Sequence, residues 1–165
     1  MARVLLSLGS NLGNREHFLD QAIQALAALP GTEILRLAGR YETSPVDVPA
    51  EFEHLRFLNS ALLLETSLPP NTLLCALHRI EADLGRIRTV TNGPRTLDLD
   101  IIAYEGIVSN TPTLTLPHPR AHLRAFVLQP AAELGFSASM IRHNCFPSAA
   151  NVVSPASDSS SQLFP

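Results

Sequence analysis

Gly93-Pro94-Arg95-Thr96-Leu97-Asp98-Leu99-Asp100-Ile101-Ile102 is the stretch on which the fold turns. A Gly-Pro turn leads into alternating leucine and aspartate, and successive side chains on a strand point to opposite faces. Asp98 and Asp100 are therefore expected on one face, with Leu97, Leu99 and Ile101 on the other. Two carboxylates side by side on an otherwise apolar strand repel each other and resist burial. The arrangement makes sense if a cation sits between them, and hard oxygen ligands of this kind suit Mg2+, which takes one or two carboxylates together with phosphates. The plainer reading is a strand with one wet face.

Working outward, Pro69-Pro70 opens a helix that runs to about Leu84, with Leu73, Leu74, Leu77, Ile80 and Leu84 on its inner face. Proline is tolerated in a first helical turn, and Gly85 is placed to stop the helix. Phe57 to Glu65 reads as a strand before it. An equivalent unit precedes this one: a strand from Arg3 to Leu8, a turn ending in a capping Asn14, a helix from Arg15 to Leu29 and a strand from Glu33 to Tyr41. The helix is marked by Phe18, Leu19, Ala22, Ile23, Leu26 and Leu29 at helical spacing and stopped by Pro30-Gly31. Downstream, Ile107-Val108 and Thr113 to Leu116 are short strand candidates, and Arg120 to Leu134 is expected to be helical despite Pro130. Two β-α-β units with added strands form the split β-α-β pattern of an α+β, ferredoxin-like sandwich, with helices packed on a mostly antiparallel sheet.

The loops Ser44 to Pro49 and Arg86 to Asn92 are long and irregular, which favours functional roles. The domain is expected to span residues 1–136. From Ser137 the chain turns rich in Ser, Ala and Pro, so residues 137–165 read as an atypical, partly disordered tail, with Ser154 to Pro165 disordered.

A chain of 165 residues, 45% of them hydrophobic, is one domain with enough apolar mass for a core. No apolar run approaches the ~20 residues that cross a bilayer, and the first residues run directly into a strand pattern rather than a leader. A soluble cytoplasmic protein without membrane partners is expected. A net charge of -3 with no basic tail argues against nucleic acid as a partner, and the working expectation is a monomer acting on small molecules. All 12 basic residues are arginine, which excludes a P-loop lysine and a lysine Schiff base. Arg79, Arg86, Arg88, Arg95, Arg120 and Arg124 cluster around the aspartate pair, and arginine's planar fork suits phosphate oxygens. Cys75 and Cys145 form no CxxC, and Cys75 is expected to be a buried thiol.

Four segments together resemble the 6-hydroxymethyl-7,8-dihydropterin pyrophosphokinase family of the folate pathway. They are Leu8-Gly9-Ser10-Asn11-Leu12-Gly13; Phe57-Leu58-Asn59; Arg79-Ile80-Glu81 through Gly85-Arg86-Ile87-Arg88 to the aspartate strand; and Leu116-Pro117-His118-Pro119 with Arg124-Ala125-Phe126-Val127-Leu128. The resemblance implies transfer of a diphosphate unit from ATP to the hydroxymethyl group of a reduced pterin, with release of AMP. It implies that Asp98 and Asp100 hold two Mg2+ ions against the ATP phosphates. It places Arg86 and Arg88 on a closing loop and, with Arg95, in catalysis. His78, Glu81, Arg95, His118 and Arg124 match positions at the nucleotide. Phe57 and Phe126 match the rings that sandwich the pterin, while Asn59 and the backbone around Thr43, Ser44 and Val46 match the reader of its hydrogen-bonding edge.

Each residue also has an ordinary reading: the two phenylalanines as core, His118 as a loop histidine, Gly9 to Gly13 as a glycine-rich turn. His78 stands where many members carry glutamine, Asn92 where some carry tryptophan, and the tail departs from the family's usual ending. One alternative is a pterin- and nucleotide-binding module that has lost turnover. Another is a nucleotidyltransferase on the same fold, which releases pyrophosphate but leaves Phe57, Asn59 and Phe126 unexplained.

Overall fold

The computed structural model describes residues 1–87 and 93–149. Four strands form the backbone of one sheet: β1 (Ala2–Ser10), β2 (Thr32–Leu37), β4 (Phe57–Thr66) and β5 (Asp98–Tyr104), in the order β2-β4-β1-β5. The short β3 (Tyr41–Thr43) also pairs with β4, and every pairing is antiparallel. α1 (Arg15–Ala27) connects β1 to β2, and α2 (Pro70–Asp83) connects β4 to β5. This interleaving of two β-α-β units is the expected α+β, ferredoxin-like arrangement. A separate hairpin, β6 (Ser109–Asn110) with β7 (Thr115–Leu116), follows.

The helix ends follow local chemistry. The Asn14 side chain accepts a hydrogen bond from the His17 amide at the start of α1. α2 begins at Pro70 and is followed by Gly85 at φ +87°, a conformation glycine adopts without steric cost.

The sheet has an apolar layer on each side. Val4, Leu6 and Leu8 of β1 and Leu58, Leu62 and Leu64 of β4 pack against Leu19, Ala22 and Leu26 of α1 and Leu73, Leu77 and Ile80 of α2. Leu5, Ala61 and Leu63 point the other way, toward Val127 and Ala131 of α3 (Ala125–Glu133) and Ile141 of α4 (Ala138–Arg142). Each fully buried leucine in these layers contributes roughly 1.5–3 kcal/mol of transfer free energy.

Several elements differ from the sequence reading. The strand expected from Glu33 to Tyr41 is two, β2 and β3, separated at Ala38–Arg40, where Ala38 instead bonds to the Ala61 carbonyl. Ile107-Val108 forms only a single bridge, from Ile107 to Tyr104, and the hairpin strand begins at Ser109. The helix expected from Arg120 is a short 3-10 turn (Ala121–Leu123) followed by α3, with Arg124 in extended backbone between them. Cys75 is exposed, because it lies outside the stripe set by Leu73, Leu77 and Ile80. The segment after Ser137 folds onto the second apolar layer: Ile141 is fully buried, and Phe136 meets Phe146 edge to face at 5.2 Å. Arg3 ties this segment down through a bond to the Pro147 carbonyl and a cation-π contact with Phe146. The expected disorder of Ser154 to Pro165 lies outside the described residues.

Candidate active site

The second face of the sheet changes character along its length, and it does so at one level in three adjacent strands. On β1 the residues facing it run Leu5, Ser7, Gly9; on β4 they run Leu63, Ala61, Asn59, Phe57; on β5 they end in Asp100 and Asp98. Register aligns these changes: Ser7 opposes Ala61 and Asp100, and Gly9 opposes Asn59 and Asp98. The apolar half is covered by α3 and α4. The polar half is left open and floors a cavity of about 520 Å3.

β5 carries an irregularity between the two halves. Its register against β1 shifts between Leu5 and Leu6, so Ile102 is an extra residue, and both Ile102 and Ala103 face the second apolar layer. Asp98 and Asp100 thus share the face of the open half, while Leu97, Leu99 and Ile101 join the first layer, as alternation predicts.

The acidic pair is asymmetric. Asp98 has arginine partners: Arg86 Nη1 at 2.9 Å from its Oδ1 and Arg95 Nη1 at 3.4 Å from its Oδ2. Asp100 forms no ion pair with any described residue. Burial, reinforced by the charge of Asp98, pushes its carboxyl up to about 7, against the opposing pull of Arg86, Arg95 and Arg124. Glu81, buried on α2, accepts from Arg86 Nη1 and from the Leu99 amide at 3.3 Å, and so joins the end of α2 to the aspartate strand.

The other sequence-derived candidates converge on the same cavity. Thr43, Ser44, Val46, Phe57, Asn59, His78, Glu81, Arg86, Arg95, Asp98, Asp100, His118, Arg124 and Phe126 all line it. Arg88 and Asn92 lie outside the described residues. Asn59 Nδ2 donates to Thr43 Oγ1 at 2.5 Å, which fixes the amide's orientation. Gly9 makes room for it: a Cβ there would lie 2.9 Å from Asn59 Oδ1 and 3.4 Å from Phe57. Two rings carry cations, Arg95 over Phe57 at 5.6 Å and Arg124 over Phe126 at 5.5 Å. His118 is held by its own amide, which donates to the Ile102 carbonyl at 2.8 Å. Its Nδ1 accepts from the Arg120 amide, so Nε2 carries the ring proton. Burial and Arg124 lower its pKa and favour that neutral form.

Leu74, Ile101 and Pro112 to Thr115 also line the cavity and were not among the sequence candidates. Leu74 and Ile101 read as ordinary core in a linear pattern, and only the return of the β6–β7 hairpin over β5 brings residues 112–115 to the site.

The family model of 7,8-dihydro-6-hydroxymethylpterin-pyrophosphokinase matches residues 5–135. A 2-amino-4-hydroxy-6-hydroxymethyldihydropteridine pyrophosphokinase of Methylorubrum extorquens is 41% identical over 134 residues, covering 81% of this chain and 83% of the relative. The enzyme of the same name in Bacillus subtilis is 42% identical over 129 residues, covering 78% and 75%. The folic acid synthesis protein fol1 of Pneumocystis carinii is 40% identical over 134 residues, which is 79% of this chain but 17% of that much longer protein. The chain belongs to the 7,8-dihydro-6-hydroxymethylpterin-pyrophosphokinase family and is an ATP-dependent pyrophosphokinase.

Proposed function

We propose that the cavity over the polar half of the sheet transfers diphosphate from ATP to the hydroxymethyl oxygen of 6-hydroxymethyl-7,8-dihydropterin. A new oxygen bond forms to the β-phosphorus, the bond to the bridging α–β oxygen breaks, the hydroxyl proton is lost, and AMP leaves. The observation that carries this reading is the convergence of an acidic pair, four arginines, two imidazoles and two aromatic rings on one cavity.

The acidic pair fits magnesium. Its two carboxylates stand at alternate positions of one strand, and Asp100 resists ionising until a cation compensates it. No group of three or more His, Cys, Asp or Glu side chains able to hold a metal occurs among the described residues. Mg2+ characteristically takes one or two carboxylates and completes its shell with phosphates and water. Bound there, Mg2+ ions would neutralise phosphate oxygens and hold them in line.

The chain's own groups do the rest. Arg86 and Arg95 serve Asp98 as counter-charges in the free protein and are near enough to turn to phosphate when it arrives. Arg95 Nε, buried without a partner among the described residues, is a donor waiting for an acceptor. His118 offers Nε2–H, and Arg124 a second cation, to the phosphate chain. Phe57 and Phe126 bracket the flat pterin, and Asn59, oriented by Thr43, reads its edge with the backbone at Ser44 and Val46. His78 stands at the nucleotide end, and Arg88 joins from the loop. Such a site works by positioning and electrostatics.

The reading of a binding module without turnover is not favoured by the family and the names of its relatives. The test is product analysis with ATP, Mg2+ and the hydroxymethyl pterin. Pterin-dependent AMP is expected, and most of it should disappear in Asp98→Ala and Asp100→Ala while far-UV circular dichroism stays unchanged. Release of pyrophosphate, or near-normal rates in both variants, overturns the assignment.

A further inference from the structure

Arg95 is asked to do more than its surroundings at first allow. It lies outside any helix or strand, three residues before β5 begins. Yet its guanidinium reaches Asp98 on one side and the Phe57 ring on the other. A long side chain holds such a reach only if its backbone is fixed, since loss of alignment by about 1 Å at a reacting centre costs on the order of 100-fold in rate.

The fixing comes from Asn11, just beyond the end of β1. The Asn11 amide donates to the Arg95 carbonyl at 3.2 Å, and the Arg95 amide donates to Asn11 Oδ1 at 2.9 Å. One residue thereby satisfies both backbone groups of the arginine. Asn11 is itself 4% exposed, and its Nδ2 lies 3.5 Å from the Leu55 carbonyl, two residues before Phe57. The side chain therefore touches both approaches to the place where Arg95 meets Phe57. It does not line the cavity. Hydrophobic side chains at this position offer no acceptor to the Arg95 amide, whereas aspartate keeps that acceptor.

We propose that Asn11 is a positioning residue that fixes the Arg95 backbone, so that the guanidinium is held between Asp98 and Phe57, where the diphosphate passes from nucleotide to pterin. The proposal rests on the role given to Arg95 above. It also gives the end of β1 and the residue after it two duties: Gly9 admits Asn59, and Asn11 anchors Arg95.

A double-mutant cycle tests it on the full chain, with ATP, Mg2+ and the hydroxymethyl pterin, and with circular dichroism and thermal midpoints as controls for folding. Asn11→Ala is expected to lower kcat/KM by up to about 100-fold. In an Arg95→Ala background the same change is expected to cost less than about threefold, because the group it positions has gone. Asn11→Asp, which keeps the acceptor, is expected to stay within about tenfold of the parent. An equal loss in both backgrounds overturns the proposal, as does a fully active Asn11→Ala beside a crippled Arg95→Ala. If Asn11→Ala does not fold, Asn11→Asp decides: turnover as low as that of Arg95→Ala overturns the proposal. Arg95→Ala at the parental rate instead removes the Arg95 role, and the Asn11 proposal with it.

Discussion

Asp100→Asn should destroy activity and stabilise the ligand-free protein, by an amount that grows as pH rises from about 4 to 7. The Asp100 carboxyl is raised from 3.8 to about 7, chiefly by burial and then by Asp98. In the unfolded chain it titrates at its ordinary value. Between the two, the folded state holds a proton that the unfolded state has released, so stability falls as pH rises through this window. Above it, folding must carry an ionised carboxylate with little compensation. At about 1.4 kcal/mol per pH unit the full shift corresponds to about 4 kcal/mol. Water entry and local relaxation around a carboxylate facing an open cavity should reduce this to about 2 kcal/mol, or roughly 6 °C in Tm for a chain of this size. Asparagine has nearly the same shape and no charge. Thermal unfolding followed by circular dichroism, with chelator present, should show the variant more stable than the parent by about that amount at pH 8 and nearly equal to it at about pH 3, below the ordinary carboxylate value. Added Mg2+ should raise the parent's midpoint at pH 8 and leave the variant's almost unmoved. An equal change at both pH values, or a loss of stability at pH 8, would refute the picture of an acid held without its counter-ion.

Three further outcomes are expected. Phe126→Ala should weaken pterin binding more than ATP binding in calorimetry, because the ring lines the cavity together with Phe57; the reverse order counts against the aromatic bracket. Gly9→Ala should raise the pterin KM by about tenfold or more while leaving Tm within a few degrees, since the added methyl meets Asn59 and Phe57; an unchanged KM would show that the pterin does not use this wall. Ile141→Ala should cost about 2–4 kcal/mol by leaving a cavity under α4, read from denaturant titration; a loss below about 0.5 kcal/mol would show that the segment after Ser137 is not part of the core.

The sequence carries local chemistry well. Asp98 and Asp100 on one face, the cap at Asn14 and the stop at Gly85 follow from alternation, a side-chain acceptor and backbone freedom, all readable within a few residues. Features set by distant partners are less visible. Glu33 to Tyr41 has the composition of one strand and breaks because Ala38 finds its partner in Ala61, across the sheet. Nothing near Ser137 announces that Ile141 and Phe146 will meet Phe136, Arg3 and α3, since the amphipathic signal of a helix as short as α4 is too brief to register. Cys75 reads as core in a leucine-rich helix until the buried stripe is fixed by the sheet it packs on. Among the candidate side chains, motif spacing brought together residues from three strands, two helices and the loops between them, but the role of Asn11 toward Arg95 needed the fold, because the two are 84 positions apart.

The extra residue in β5 falls between two ends of the strand that do different work. On the Asp98 side of Ile102, odd and even positions are assigned by the need to present acid to the cavity; on the Tyr104 side, the assignment is reset by hydrocarbon packing. Deleting Ile102 would restore plain alternation, with the acids and Ala103 on one face and Ile101 and Tyr104 on the other, and would take one apolar side chain out of the second layer. A single inserted amino acid thus gives the far end of the strand a second oily side chain against α3 and α4 without turning either acid.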